Sequence, residues 1–215
     1  MADVIGAAAP AGRATGVSTI GVGSVIGDLV DELDLDRVWL VDPVSGREGV
    51  ASVRVEAGVI ATLEWLDDGG PMPSILVLPG FTDLHVHARE PGDEEAETVA
   101  TAMAAAAHGG FTRVCLMANT RPAVDTAAVV GQVRAAAGAS GVPITVEVVG
   151  ATTAARAGVA LAPMAELADA GVVAFSDDGA PVTDPSLMRH ALAYAGALGL
   201  PIVEHAEDRG LTDGA

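Results

Sequence analysis

From about residue 75 onward the chain repeats one pattern, an apolar run followed by an Ala-rich stretch, at about 30-residue intervals, the length of a strand–helix unit. The apolar runs are "ILVLPGFTDLHVH", "FTRVCLMAN", "PITVEVVGA", "GVVAFSDDG" and "LPIVEHAED". They are continuous rather than alternating, as strands are when both faces of a parallel sheet are covered. Between them, "DEEAETVATAMAAAAHGG" reads as a helix with acids in its first turn and Gly109-Gly110 at its end. "DTAAVVGQVRAAAGAS" and "LAPMAELADAG" read as two more, and "DPSLMRHALAYAGALG" as a fourth with Asp184 as N-cap and Pro185 at its first position.

The polar residues choose between the two folds that share this rhythm. They stand where the apolar runs finish: His85 and His87, then Asn119, then Asp177 and Asp178, then His205 and Glu207. In a barrel the C-terminal strand ends converge on one rim, so residues remote in sequence face one another. A doubly wound sheet gathers fewer of them and carries a glycine-rich loop after its first strand. No such loop is present after the first run, and the N-terminal "GVGSVIG" has neither the spacing nor a preceding strand. The expected fold is therefore α/β, a TIM-like (β/α)8 barrel, incomplete here with about five βα units.

Three segments are expected. Residues 1–35 read as a disordered tail without the basic start and unbroken apolar core of a signal peptide. Residues 36–75 hold "RVWLVDP" and "ASVRVEAGVIATLEWL" around the turn "DPVSGREG", and read as antiparallel strands of a small β unit. Residues 76–215 form the first part of the barrel.

Half of the residues are hydrophobic and 19% are charged, enough for a sizeable core. The net charge of −18 argues against nucleic acid and anionic membrane as partners. No run is long and apolar enough for a membrane span. An anionic substrate needs a local cation, and the chain has eleven Lys and Arg, all of them Arg. The single cysteine, Cys115, cannot form an internal disulfide. It reads as buried packing in a reducing, cytoplasmic compartment.

On a strand, His85 and His87 point to one face, ~6–7 Å apart along the chain. Two imidazoles so placed converge on one metal ion, imidazole being the commonest ligand of zinc-like ions. With His205 and one carboxylate from the fourth run they make a two-metal set, because a carboxylate has two oxygens and bridges two cations. Asp177 and Asp178 are adjacent and face opposite ways, so one is the ligand and the other caps a loop or helix. Arg89 is suited to gripping a substrate carboxylate through two parallel hydrogen bonds. Asn119 is placed to donate to the same group or to form a turn. His108 and His190 read as structural.

Together "PGFTDLHVHAREPG", "AAAAHGGFTRVCLMANTRPAVDT", "AFSDDGAPV" and "IVEHAED" closely resemble the dihydroorotases of the amidohydrolase superfamily, from about residue 37 to the end of the chain. The resemblance implies a barrel of the metal-dependent hydrolase type with a small β-sandwich. It implies one or two zinc ions per subunit: His85 and His87 on one, Asp178 bridging, His205 on the second. It implies that Arg89 and Asn119 bind the carboxylate of N-carbamoyl-L-aspartate or dihydroorotate, interconverted in pyrimidine biosynthesis. Ala88, Ala118 and the "EHAED" sequence depart from the usual pattern without removing a ligand.

The family's further histidine ligand and its catalytic aspartate fall beyond residue 215, so the catalytic residue is not in this stretch. The chain is expected to be a C-terminally truncated dihydroorotase, inactive alone, its full-length form a homo-oligomer. Hydantoinase and allantoinase share the barrel but use a carboxylated lysine as the bridge, and this chain has no lysine. A non-catalytic subunit scaffolding aspartate transcarbamoylase is the remaining alternative.

Overall fold

The computed structural model describes residues 5–7 and 32–212. Contacts divide the chain into two units. The first holds residues 1–82, 104–113 and 142–144, and the second residues 83–103, 114–141 and 145–215.

A five-stranded sheet of order β1-β5-β2-β3-β4 dominates the first unit. Its strands are β1 (Ile5–Ala7), β2 (Glu32–Asp42), β3 (Arg47–Glu56), β4 (Val59–Trp65) and β5 (Leu76–Pro79). β2, β3 and β4 form antiparallel hairpins. In the first turn Asp42 accepts hydrogen bonds from the Val44 amide (3.0 Å) and the Ser45 hydroxyl (2.6 Å), a side-chain mimic of a backbone turn. The second turn is Ala57-Gly58, both at positive φ (51° and 71°), which suits the twist of a two-residue hairpin. Val38, Leu40, Ala51, Val53 and Val77 make a core on one face, with Leu35, Val55, Trp65 and Ile75 against it. On the exposed side Arg37 pairs with Asp68 and Arg54 with Asp34, both at 2.7 Å.

The stretch expected to be a disordered tail contributes Ile5–Ala7, paired with β5, and the start of β2. Leu33 and Leu35 extend the alternation of β2 and sit opposite Val55 and Val53, and such cross-strand apolar pairs hold a strand end in place. Residues 8–31 lie outside the described residues.

The run "ILVLPGFTDLHVH", read as one strand, is two. β5 pairs with β1 and β2, while β6 (Phe81–Val86) begins a four-stranded parallel sheet of order β6-β7-β8-β9. The others are β7 (Phe111–Leu116), β8 (Thr145–Gly150) and β9 (Ala174–Phe175). The fifth run is reduced to a single parallel bridge between Phe175 and Ile202. It is flanked by hydrogen bonds from the Phe175 amide to the Pro201 carbonyl and from the Val203 amide to the Phe175 carbonyl.

Helices follow the strands: α1 (Val99–His108), α2 (Ala127–Ala139), α3 (Met164–Asp169), α4 (Pro185–Leu198) and the short α5 (Arg209–Thr212). α1 starts later than its acidic run suggests, with no acid in its first turn. The Thr98 hydroxyl accepts from the Thr101 amide, and the Glu90 carboxylate takes the Val99 amide at 2.8 Å. A carboxylate from outside the helix thus satisfies the orphan donor that the local acids were expected to serve. α4 is capped as its sequence indicates: Asp184 accepts from the Ser186 and Leu187 amides, and Gly199 ends the helix at φ 71°. Cys115, Met117, Val149 and Ala174 share a buried cluster. No helix among the described residues is long and apolar enough to cross a membrane.

Candidate metal centre

Three segments of the second unit bring their ends to one place. His85 is on β6 and His87 just past its end. Asp178 follows β9, and His205 follows the bridge at Ile202. His85 Nε2 and His87 Nε2 stand 3.3 and 3.4 Å from Asp178 Oδ2, and His205 Nδ1 stands 3.4 Å from Asp178 Oδ1. One carboxylate thus turns one oxygen to two imidazoles and the other oxygen to a third. The His85 and His87 rings meet edge to face with centroids 5.0 Å apart. The donor atoms of His85, His87 and Asp178 all lie within 4.8 Å of one another.

The hydrogen bonds behind these donors test whether a cation suits them. His87 Nδ1 lies 2.9 Å from Asn119 Oδ1. An amide oxygen only accepts, so Nδ1 carries a proton, and in the neutral ring Nε2 presents its lone pair to Asp178. A lone pair facing a carboxylate oxygen is repulsive unless a cation sits between them, and metal-bound histidines ordinarily donate their other ring nitrogen in this way. The donor set fits a divalent ion of the zinc type. His205 is held by its other nitrogen, Nε2, 3.2 Å from Glu207 Oε2.

Asp177 does different work. It is fully buried. Its Oδ1 accepts the Thr152 and Thr153 amides (2.9 and 3.0 Å), and its Oδ2 accepts the Thr153 hydroxyl. It caps the loop after β8, not the helix that follows. Glu204, next to His205, accepts from the Val182 amide at 3.3 Å, and burial pushes its carboxyl above the usual range.

Beside Asp178 opens a cavity of about 590 Å³, lined among others by Arg89, Asn119, Arg121, Asp125 and Arg156. None of these three arginines pairs with a carboxylate among the described residues, whereas Arg37 and Arg54 do. In a chain of net charge −18 these three arginines give the cavity wall a local concentration of positive charge beside Asp125 and Asp178. The loop bearing Arg89 approaches the Arg121 loop so closely at Gly92 (φ 105°) that a Cβ there would run into the Arg121 carbonyl, which accounts for the glycine of "REPG". Arg121 lies within the stretch "MANTRPAVDT" but is not singled out by residue type or spacing there, and Arg156 lies outside any pattern read from the sequence. Asn119 was expected on a substrate carboxylate. Its oxygen is engaged by His87, leaving its amide NH₂ as donor.

A family model described as dihydro-orotase-like matches residues 74–215. The chain belongs to this family. It is 44% identical over 184 residues to a dihydroorotase of Pelotomaculum thermopropionicum, covering 81% of this chain and 42% of the relative. It is 45% identical over 184 residues to one of Anaeromyxobacter dehalogenans, covering 83% and 42%. The chain therefore spans about two fifths of the length of these dihydroorotases. Among solved structures it resembles an L-hydantoinase (dihydropyrimidinase) from Arthrobacter aurescens, with a TM-score of 0.56 at 20% identity, over 81% of this chain and 40% of that one. That likeness shows the fold alone: the dihydroorotase-like chain forms part of an α/β barrel.

Proposed function

We propose that this chain forms the metal-binding part of a dihydroorotase, a hydrolase that reversibly closes N-carbamoyl-L-aspartate to dihydroorotate in pyrimidine biosynthesis. The observation that carries this reading is the Asp178 carboxylate, with its two oxygens turned toward different histidines at 3.3–3.4 Å. In this reading His85 and His87 hold one zinc ion, Asp178 bridges, and His205 holds a second. Bound zinc supplies a Lewis acid for a carbonyl oxygen and lowers the pKa of a coordinated water. Asn119 fixes the His87 tautomer and offers its NH₂ group to the substrate, and Arg89 grips the substrate carboxylate from the cavity wall. The absence of a lysine favours this reading over the hydantoinase type. The same reading carries a cytoplasmic location, a homo-oligomeric full-length enzyme and an aspartate transcarbamoylase as a candidate partner.

The test is a hybrid enzyme in which residues 32–215 replace the matching part of the Pelotomaculum dihydroorotase. It is expected to turn over both N-carbamoyl-L-aspartate and dihydroorotate. Arg89→Ala in the hybrid should lower kcat/KM about 10–100-fold in both directions with metal content intact, the loss of a charge-assisted contact. The 215-residue chain alone is expected to show no turnover, because it spans only 42% of those relatives. A folded, zinc-loaded hybrid that hydrolyses hydantoin but not dihydroorotate overturns the substrate assignment.

A further inference from the structure

The loop after β8 and the end of β9 hold each other in both directions. From β9, Asp177 takes the Thr152 and Thr153 amides and the Thr153 hydroxyl. From the loop, Arg156 Nη2 donates to the backbone carbonyl of Asp178. Between these contacts Thr153 Oγ1 also accepts the Gly158 amide at 2.9 Å, closing the loop on itself. The Asp125 carboxylate takes the Ala155 amide at 2.7 Å. Ala155 and Arg156 both sit in the left-handed region, at φ 51° and 55°. Side-chain-bearing residues hold that conformation only where their surroundings fix it. Here the surroundings are Asp125 on one side and the Asp178 carbonyl on the other.

The Asp178 backbone is fixed from its amide side as well, since that amide donates to the Ser176 hydroxyl at 3.0 Å. Both ends of the one residue that faces three histidines are therefore tied down. Arg156 is an expensive choice for a mere loop brace. It is half-buried, its Nε has no partner among the described residues, and its guanidinium charge lies on the wall of the cavity beside Asp178. Arg134 shows the same bond in an ordinary setting, donating to the Gly171 carbonyl at 2.7 Å away from the histidines.

We infer that Arg156 is a positioning residue for the metal centre: it pins the backbone of Asp178 so that the carboxylate oxygens are held between His85 and His87 on one side and His205 on the other. The inference rests on the metal reading above and adds a residue that the first ring of donors does not contain. Asp177 and Thr153 are the other half of the same clasp. Partners that orient a metal ligand from behind commonly set metal affinity over about 10–100-fold.

The test is zinc affinity, read by competition with a chromogenic chelator on the 215-residue chain, with circular dichroism to establish that each variant is folded. Arg156→Met should weaken zinc binding about 10–100-fold. Arg156→Lys, which keeps a charged donor, should recover part of that loss. Arg134→Met removes an equivalent arginine-to-carbonyl bond and should leave zinc affinity where it was. Thr153→Val loosens the clasp from its other side and should weaken zinc binding in the same direction, which keeps the inference testable if Arg156→Met fails to fold. If Arg156→Met or Thr153→Val binds zinc as tightly as the unmodified chain, the clasp does not position the centre. If the unmodified chain binds no zinc, the metal reading itself fails, and that is seen before any substitution is made.

Discussion

The two units treat their charged residues in opposite ways. In the five-stranded sheet the ion pairs Arg37–Asp68 and Arg54–Asp34 lie on the exposed side, and the core beneath is wholly apolar, Val, Leu and Ala with Trp65 and Ile75 against it. In the second unit the buried polar residues Thr152, Thr153, Ser176, Asp177 and Asp178 all gather just past the ends of β8 and β9. Burial of a carboxylate is costly unless its hydrogen bonds are met. The first unit avoids that cost by leaving its charges in water. The second meets it at Asp177 with two backbone amides and a threonine hydroxyl, and at Asp178 it turns the carboxylate to three imidazoles, a set that suits a cation. The difference separates a sheet built for stability from strand ends arranged for chemistry.

The comparison breaks most readily at Asp177. Asp177→Ala leaves the Thr152 and Thr153 amides and the Thr153 hydroxyl without their acceptor, and should cost about 3 kcal/mol. A thermal melt should show Tm lower by roughly 6–12 °C. A fall no larger than that of a surface substitution would mean that the buried carboxylate is not what holds the loop.

Val38→Ala, in the core of the first sheet, should cost about 2 kcal/mol through lost burial and the cavity left behind. Urea unfolding measures it. Zinc affinity of the folded variant should be unchanged, in contrast to any change at Arg156 or Thr153. A parallel loss of zinc binding would erase the distinction between the two regions.

The smallest effect is expected at Asp68. The Arg37 guanidinium, ahead of the Gly70 amide, lowers its pKa from 3.8 to about 2. A depressed carboxylate contributes stability above its ordinary value and loses it as the pH falls through the folded one. Asp68→Asn should therefore be slightly less stable than the unmodified chain at neutral pH, and the gap should close between about pH 4 and pH 2. Because the pair is exposed, 0.5 M salt should shrink the gap at neutral pH as well.

Much of the fold can be read along the chain because its cause is local. Period-two alternation marks β2 and β3, Asp184, Pro185 and Gly199 bound α4, and continuous apolar runs mark strands covered on both faces. What misleads is also local: the acids before α1 suggest an earlier start, but Glu90, nine residues upstream of Val99, takes the first amide instead. The break at Gly80 is silent in an apolar run, because strand pairing rather than composition divides β5 from β6. Leu33 and Leu35 are lost in an unpatterned N-terminal stretch until Val55 and Val53 appear opposite them.

The same boundary runs through the site. The sequence by itself determined which side chains have the chemistry: two histidines at i and i+2, an aspartate pair at one strand end and a histidine at the next, because ligand type and strand periodicity are properties of the chain. Strand periodicity left open which of the adjacent aspartates faces the site, and only the resemblance pointed to Asp178; the tertiary structure turns Asp177 to the loop after β8 and Asp178 to the histidines. It also decided that Asn119 stands behind His87 and that Arg156 reaches the Asp178 carbonyl. These are contacts across 32 and 22 residues of chain. No local preference specifies such contacts; they exist because parallel strands carry their C-terminal ends to one edge of a sheet.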